Sequence, residues 1–442
     1  MNESRLRYLW LGSSFALVTL LLVAMARDRG WWTLLETPAT SRVGIAATTP
    51  SAAAHAPATI AGPLENQPAP PKLTEEEKRL ERLRNRLQRE DAIPKQAVIK
   101  FKSAKALQDF LRRAAGRKIT ILGRLDALSA VRVAYNGLEQ LRDALGTDAE
   151  LYEGVDGNYV VKVPDFLQQE DRPSGAGSAS FEGLDFFAAI DATGDRSTWG
   201  LGVTVAVVDT GVFDHMTFGE SQITHYDLVN DGQPFNGHGT AMASLIAGQD
   251  SQAPGVAPAS HILDVRVADS QGYSDTFTLA AGIVQAADAG ALVINVSLGS
   301  YGDSQAVRDA VTYAESRGAV VVAAAGNDHT SNEISFPAAI SSVVSVGGVD
   351  AELQQAYYSN SGQGLDVSAP GVGIQSAYGA NMLAVGDGTS QATAIASGVL
   401  AYAISRGVPP GDSAAAWLQQ SAQPLSQSAD RVGAGIVQAQ SK

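Results

Sequence analysis

Residues 203–212 read VTVAVVDTGV. Six uncharged, mostly apolar positions run together and then stop at an aspartate. A run this short and this rich in valine suits a strand buried on both faces of a parallel sheet. Asp209 follows it directly, and a carboxylate placed there is costly unless a partner holds it. Moving outward, similar runs return at ILDVRV (262–267), ALVINVS (291–297), AVVVAAAG (319–326) and SVVSVGG (342–348). Between them lie two helical patterns, TFTLAAGIVQAADAG stopped at Gly290 and SQAVRDAVTYAESRG stopped at Gly318. The alternation predicts an α/β domain over residues 183–442, a doubly wound three-layer parallel sheet. Its site is expected beyond the carboxyl ends of the strands.

Upstream the pattern changes. Residues 92–164 alternate as β-α-β-β-α-β: AVIKF (97–101), a helix at 104–116, KITIL, LSAVRVAY, a helix at 137–145 and a strand pair near ELYEGVDGNYVVKV. That order describes a small α+β, ferredoxin-like domain. About 70 residues without staples make a marginal core, so this unit is expected to be stable only when docked on a partner. Before it, residues 73–91 form a charged helix with leucines at 73, 80, 83 and 87, read as a solvated spacer. Residues 31–72 are an Ala/Pro-rich linker, and residues 165–182, rich in Ser, Gly and Asp, are a second linker.

The first 30 residues read as an address. Arg5 and Arg7 precede Tyr8–Ala26, 19 residues without a charge, which end in Ala24-Met25-Ala26. The stretch is long enough to cross a bilayer, and the A-x-A ending suits a signal peptidase. A cleaved signal peptide and a retained transmembrane anchor both stay open, and either one exports the rest of the chain. Cysteine is absent, so there is no disulfide framework and no thiolate metal site. The net charge of −14 excludes the surplus of Lys and Arg that nucleic-acid binding needs. That charge is unevenly spread. Residues 1–164 hold 24 basic against 18 acidic side chains, and residues 165–442 hold 8 against 28. Two modules of opposite sign are expected to attract one another.

Three polar residues besides Asp209 stand at turns where the α/β rule wants a site. His238 opens a helix in NGHGTAMASLIAG, Ser390 opens another in GDGTSQATAIASGVL, and Asn327 ends the strand in VVVAAAGN. They form a working set for acyl transfer. A serine hydroxyl needs a base, the role of His238, and the imidazole needs an acceptor on its other nitrogen, the role of Asp209. The Ser390 backbone N–H and the Asn327 amide are two donors for a developing oxyanion.

These residues carry a resemblance. Asp209-Thr210-Gly211, His238-Gly239-Thr240 and Gly388-Thr389-Ser390 resemble the three signature boxes of subtilisin-like serine proteases, in that family's order, and GAGIVQAQ resembles its closing segment. The resemblance covers about residues 183–442. It implies a serine endopeptidase acting on proteins or peptides, with residues 92–164 as an inhibitory propeptide and the chain made as a self-processing zymogen. It also implies that Ser297-Leu298-Gly299 and Ala324-Ala325-Gly326 form the two walls of the S1 pocket, with Ser335 near its floor and Tyr273–Asp275 as the other substrate-binding edge. A small neutral floor favours apolar or aromatic P1 residues. The self-cleavage point is expected between Val163 and Ser180.

The chain also departs from the family. Gln391-Ala392-Thr393-Ala394-Ile395 follows the nucleophile where the family has Met-Ala-Thr-Pro-His, and the loop after His238 is too short for the high-affinity calcium loop. The chemistry requires no cofactor. Structural calcium stays open with no ligand located, and no metal site is assigned, since His55, His215, His225, His261 and His329 lack ligand spacing. The alternative function is a non-catalytic binding or scaffold module on the same fold. A lipase or esterase is disfavoured, because its Gly-x-Ser-x-Gly motif is missing and here both acid and histidine precede the serine.

Overall fold

The computed structural model describes residues 75–114, 119–145, 151–164 and 172–440. Tyr8–Ala26 and the Ala/Pro-rich linker lie outside the described residues. Among the described residues no helix is long and apolar enough to cross a membrane.

The N-terminal module begins with α1 (Glu75–Leu87), followed by β1 (Ala92–Phe101), α2 (Ala104–Ala114), β2 (Thr120–Leu125), β3 (Ala130–Ala134), α3 (Leu138–Leu145) and β4 (Tyr152–Lys162). The β-α-β-β-α-β order is the expected one. Two details differ from the sequence reading. The last strand is one continuous strand instead of a pair. Helix α1 is no free spacer: Leu83 and Leu87 pack into the module's core beside Ile99, Phe101 and Leu107. A leucine stripe on an otherwise charged helix has burial to gain from an adjacent sheet, and that outweighs its solvation. The four strands run antiparallel in the order β2-β3-β1-β4.

The second module opens with the short helix α4 (Phe186–Ala189). It continues with β5 (Thr204–Asp209), β6 (Ile223–Asp227), α5 (Gly237–Ala247), β7 (His261–Arg266), β8 (Tyr273–Asp275), α6 (Thr276–Asp288), β9 (Val293–Val296), α7 (Gln305–Ser316), β10 (Val320–Ala324), β11 (Val344–Val349) and β12 (Val367–Pro370). A hairpin of β13 (Ile374–Tyr378) and β14 (Met382–Gly386) then leads into α8 (Thr389–Ser405), α9 (Asp412–Ser421) and α10 (Ala429–Val432). Seven strands make one parallel sheet in the order β12-β11-β10-β9-β5-β7-β6.

Alternate residues of β5 and β10 feed two cores. Val205, Val207, Val320 and Val322 face α5 and α8, while Ala206, Val208, Val321 and Ala323 face α6 and α7. The second core does not end at the helices. Val98, Leu125, Leu128, Val161 and Val163 of the N-terminal module join it against Phe277 and Ala280 of α6. The marginal core expected of the small module is thus completed by its neighbour.

Candidate active site

Asp209 is the last residue of β5 and is fully buried. Its Oδ1 accepts the Thr210 N–H at 2.7 Å, and the two carboxylate oxygens lie 2.9 and 3.0 Å from His238 Nδ1. A carboxylate only accepts, so Nδ1 carries a proton directed at Asp209. Two polar groups lock this arrangement. Asn236 caps α5 by accepting the His238 N–H at 3.0 Å, and Thr210 Oγ1 accepts the Gly239 N–H at 3.1 Å while lying 3.1 Å from Asp209 Oδ1. Gly239 is required by this closeness, because a Cβ there would stand 2.5 Å from the Gly211 carbonyl oxygen.

Ser390 is the second residue of α8 and is buried. Its hydroxyl donates to the Ser297 carbonyl at 3.2 Å. Among the described residues no hydrogen bond joins it to His238; the structure pairs His238 with Asp209 and bonds the Ser390 hydroxyl to Ser297. The Asn327 side chain is oriented by α8. Its Oδ1 accepts from Thr389 N–H at 3.0 Å and from Thr389 Oγ1 at 2.7 Å, so Nδ2 faces the other way. A Cβ on Gly388 would stand 3.3 Å from that Nδ2. The bare glycine keeps the donor's approach open.

Ser297-Leu298-Gly299 follows β9, and Ala324-Ala325-Gly326 ends β10. Both are stitched to one segment. Ser300 N–H donates to Phe336 O at 3.0 Å, Ser335 N–H to Ala325 O at 2.9 Å, and Ser335 Oγ to Ala324 O at 2.9 Å. The Ser335 hydroxyl is therefore spent on the Ala324 carbonyl, and none of Ser297, Leu298, Gly299, Ala324, Ala325, Gly326 and Ser335 carries a charge.

The edges at Tyr273–Asp275 and Gly299 are occupied by the N-terminal module. Val160, Val161 and Lys162 of β4 pair antiparallel with Asp275, Ser274 and Tyr273 of β8. On the other side Lys162 N–H donates to Gly299 O at 3.0 Å, and Gly299 N–H returns to Lys162 O at 3.1 Å. Val163 N–H donates to Gly272 O at 2.8 Å. The end of β4 is thus held between two edges as an added strand.

Behind it, two side chains spaced two apart cap two helices. Asn158 Oδ1 accepts the Phe277 N–H at 3.1 Å at the start of α6, and Asp156 Oδ2 accepts the Gln305 N–H at 3.3 Å at the start of α7. Cross-module ion pairs join Lys100 to Asp309 at 2.7 Å and Arg132 to Asp275. Beside the Asp209 strand, His225 lies 2.8 Å from the buried Asp264, and that hydrogen bond raises its pKa above the ordinary imidazole value. Among the described residues no group of three His, Cys, Asp or Glu side chains is placed to hold a metal ion.

Fold and site together define the doubly wound α/β class, with the Asp209–His238 pair at the carboxyl end of β5 and Ser390 bonded to Ser297 just beyond β9. The chain belongs to the subtilase family, whose profile matches residues 200–436. It is 41% identical over 213 residues to the Thermophilic serine proteinase of Bacillus sp. (strain AK1), covering 47% of this chain and 53% of that one. It is 38% identical over 213 residues to Subtilisin Savinase of Lederbergia lenta, covering 47% of this chain and 78% of that one. The first of these matches spans only about half of the relative's length. Among solved structures, a cold adapted subtilisin-like serine proteinase is 31% identical with a TM-score of 0.53, covering 60% of this chain and all of that one. Fervidolysin from Fervidobacterium pennivorans, a keratinolytic enzyme related to subtilisin, is similar in fold with a TM-score of 0.67 at 23% identity, over 80% of this chain and 61% of that one.

Sequence reasoning missed Asn236, Asp156 and Asn158. Asn236 had a readable signal, a capping residue just before the His238 helix. Asp156 and Asn158 had none, because each caps a helix more than a hundred residues away.

Proposed function

We propose that the chain is a serine endopeptidase made as a zymogen, with Asp209, His238 and Ser390 as its triad and Asn327 with the Ser390 N–H as its oxyanion donors. The observation that carries this is the β4 strand held between the edges at Tyr273–Asp275 and Gly299. Lys162 pairs with Gly299, so antiparallel continuation sets Pro164 opposite Ser297, whose carbonyl lies 3.2 Å from Ser390 Oγ. The Pro164 carbonyl is then the group delivered to the nucleophile, and the first cut falls directly after it.

The chemistry follows from the geometry. His238 Nε2 takes the Ser390 proton as Oγ forms a bond to the carbonyl carbon, and the resulting oxyanion accepts from Asn327 Nδ2 and the Ser390 N–H. Collapse of the intermediate breaks the C–N bond, and His238 returns the proton to the leaving amine. Water then repeats the sequence on the acyl-enzyme. Proline has no N–H to offer the Ser297 carbonyl. The Ser390 hydroxyl takes that acceptor instead. The family's chemistry needs no cofactor, and no step runs through calcium.

Labelling of the purified chain by a fluorophosphonate probe tests the reading. Labelling lost in Ser390→Ala supports it, and a wild type that stays unlabelled after residues 75–164 are removed favours the non-catalytic binding module. Under the protease reading Tyr8–Ala26 exports the catalytic domain, which is either released or held at the membrane.

Two further outcomes are expected. The residues assigned to the S1 walls and floor carry no charge, so a peptide library should return apolar or aromatic P1 residues, and a preference for Lys or Arg would contradict that assignment. The β4-bearing module, residues 75–164, acts as an intramolecular inhibitor. It meets the acidic domain through Lys100–Asp309 and Arg132–Asp275. Raising ionic strength from low salt to about 1 M shortens the screening length to ~3 Å, and inhibition by added prosegment should weaken as it does. Inhibition constants independent of salt would show that the shared apolar core alone holds the module.

A further inference from the structure

Three residues before Ser390, the turn holds an acid that the proposed chemistry does not use. The Asp387 side chain is fully buried, and it meets Arg172, whose own side chain is only 9% exposed. The pair is bidentate, with Nε donating to Oδ2 at 2.8 Å and Nη2 to Oδ1 at 2.6 Å. Two weaker donors complete the shell, the Gly373 N–H at 2.8 Å from Oδ1 and the Tyr357 hydroxyl at 3.1 Å from Oδ2. The turn itself is pinned by Gly388 N–H donating to Gly371 O at 2.9 Å. Asp387 therefore ties three segments to the base of the turn that presents Ser390.

Arg172 does not come from the body of the α/β domain. It opens a segment that follows the proposed cut after Pro164, and that segment is laid along the loops beside the turn. Tyr357 N–H donates to Gly177 O at 2.9 Å, Ala351 N–H to Ala179 O at 2.9 Å, and Phe181 N–H to Val372 O at 3.0 Å. A carboxylate buried this deeply is tolerated because a guanidinium neutralises it. Without Arg172 its remaining donors are one N–H and one hydroxyl.

We propose that Arg172 is a positioning residue for catalysis, acting through Asp387 on the turn that aims Ser390, and that maturation spares it, so every processing cut falls on its N-terminal side. The inference rests on the protease reading. It adds that the segment downstream of the prosegment is a working part of the active enzyme.

The test compares purified wild type, Arg172→Ala, Arg172→Lys and the double variant Arg172→Ala/Asp387→Asn, each checked for native circular dichroism. The readouts are N-terminal sequencing, the fluorophosphonate labelling rate, and kcat and KM on a short peptide ester. A displacement of about 1 Å at a nucleophile costs ~10²-fold in rate. Arg172→Ala should lose up to that factor in kcat and in labelling, with KM changed less than about threefold. Millimolar guanidinium ion should restore part of the loss, and Arg172→Lys should lie between. The double variant should recover activity relative to Arg172→Ala, because the unpaired charge is gone. A mature N-terminus beyond residue 172, wild-type kcat in Arg172→Ala, or a loss that neither guanidinium nor the double variant relieves would overturn the proposal. If Arg172→Ala does not fold, sequencing of the wild type and the kcat of Arg172→Lys still decide, since a lysine variant with wild-type turnover would refute the need for the bidentate fork. Wild-type protein that the probe fails to label after residues 75–164 are removed would instead bring down the protease reading together with this one.

Discussion

Ser390→Ala should abolish peptide-bond hydrolysis and leave the chain uncut. The expected loss in turnover is on the order of 10⁶, a size known for subtilisin itself and carried over from that relative. The structure explains why so large an effect should come without unfolding. Ser390 Oγ makes one hydrogen bond, to the Ser297 carbonyl, and a typical bond of this kind contributes about 0.5–1.5 kcal/mol. The turn before it is held by groups the substitution does not touch, with Thr389 bonded to Asn327 Oδ1 and Gly388 to Gly371 O. The variant should therefore melt within a few degrees of wild type. N-terminal sequencing should find residues 75–164 still covalently joined to the α/β domain. Sequencing that finds the cut after Pro164 in Ser390→Ala would mean that another protease makes it and that the zymogen reading is wrong.

Much of this was legible before the fold was known, for a physical reason. The five central strands are buried on both faces, so each had to be a nearly continuous apolar run, and each was found at its place. The two strands not read are the sheet's edges. β6 is ITHYD, largely solvated, and β12 is the four-residue VSAP, and neither shows an apolar run of useful length. The site follows the same division. Asp209 and Ser390 stood out because a polar group beside an apolar run demands an explanation. Asp387 met that criterion too, set between Gly386 and Gly388 in GDGTS, yet its partner Arg172 is 215 residues away and no local pattern links them. The Asp156 and Asn158 caps and the burial of Leu83 and Leu87 were illegible for a related reason, since each is decided by docking between elements.

Asp209→Asn should lower turnover about 10⁴-fold near neutral pH while leaving the fold intact, the size seen when this substitution is made in triads of another fold. The direction follows from the hydrogen bonds. Asp209 Oδ1 is committed to the Thr210 N–H at 2.7 Å, and a main-chain N–H accepts nothing, so the carboxamide oxygen of an asparagine must take that place. The amide NH₂ then occupies the Oδ2 position, 3.0 Å from His238 Nδ1. A donor now stands beside Nδ1 and contests the single acceptor left at the Oδ1 place, 2.9 Å away, so the tautomer with its proton on Nε2 gains population. That is the nitrogen that must receive the Ser390 proton, so the base is blocked while every heavy atom stays near its place. KM should change little, because the side-chain hydrogen bonds of Asp209 run to Thr210 and His238 and, among the described residues, none runs to 297–299 or 324–326. Fluorophosphonate labelling should slow in parallel with turnover, since both need the same proton transfer. Turnover within tenfold of wild type would show that Asp209 does not set the tautomer of His238, and the triad assignment would fall with it.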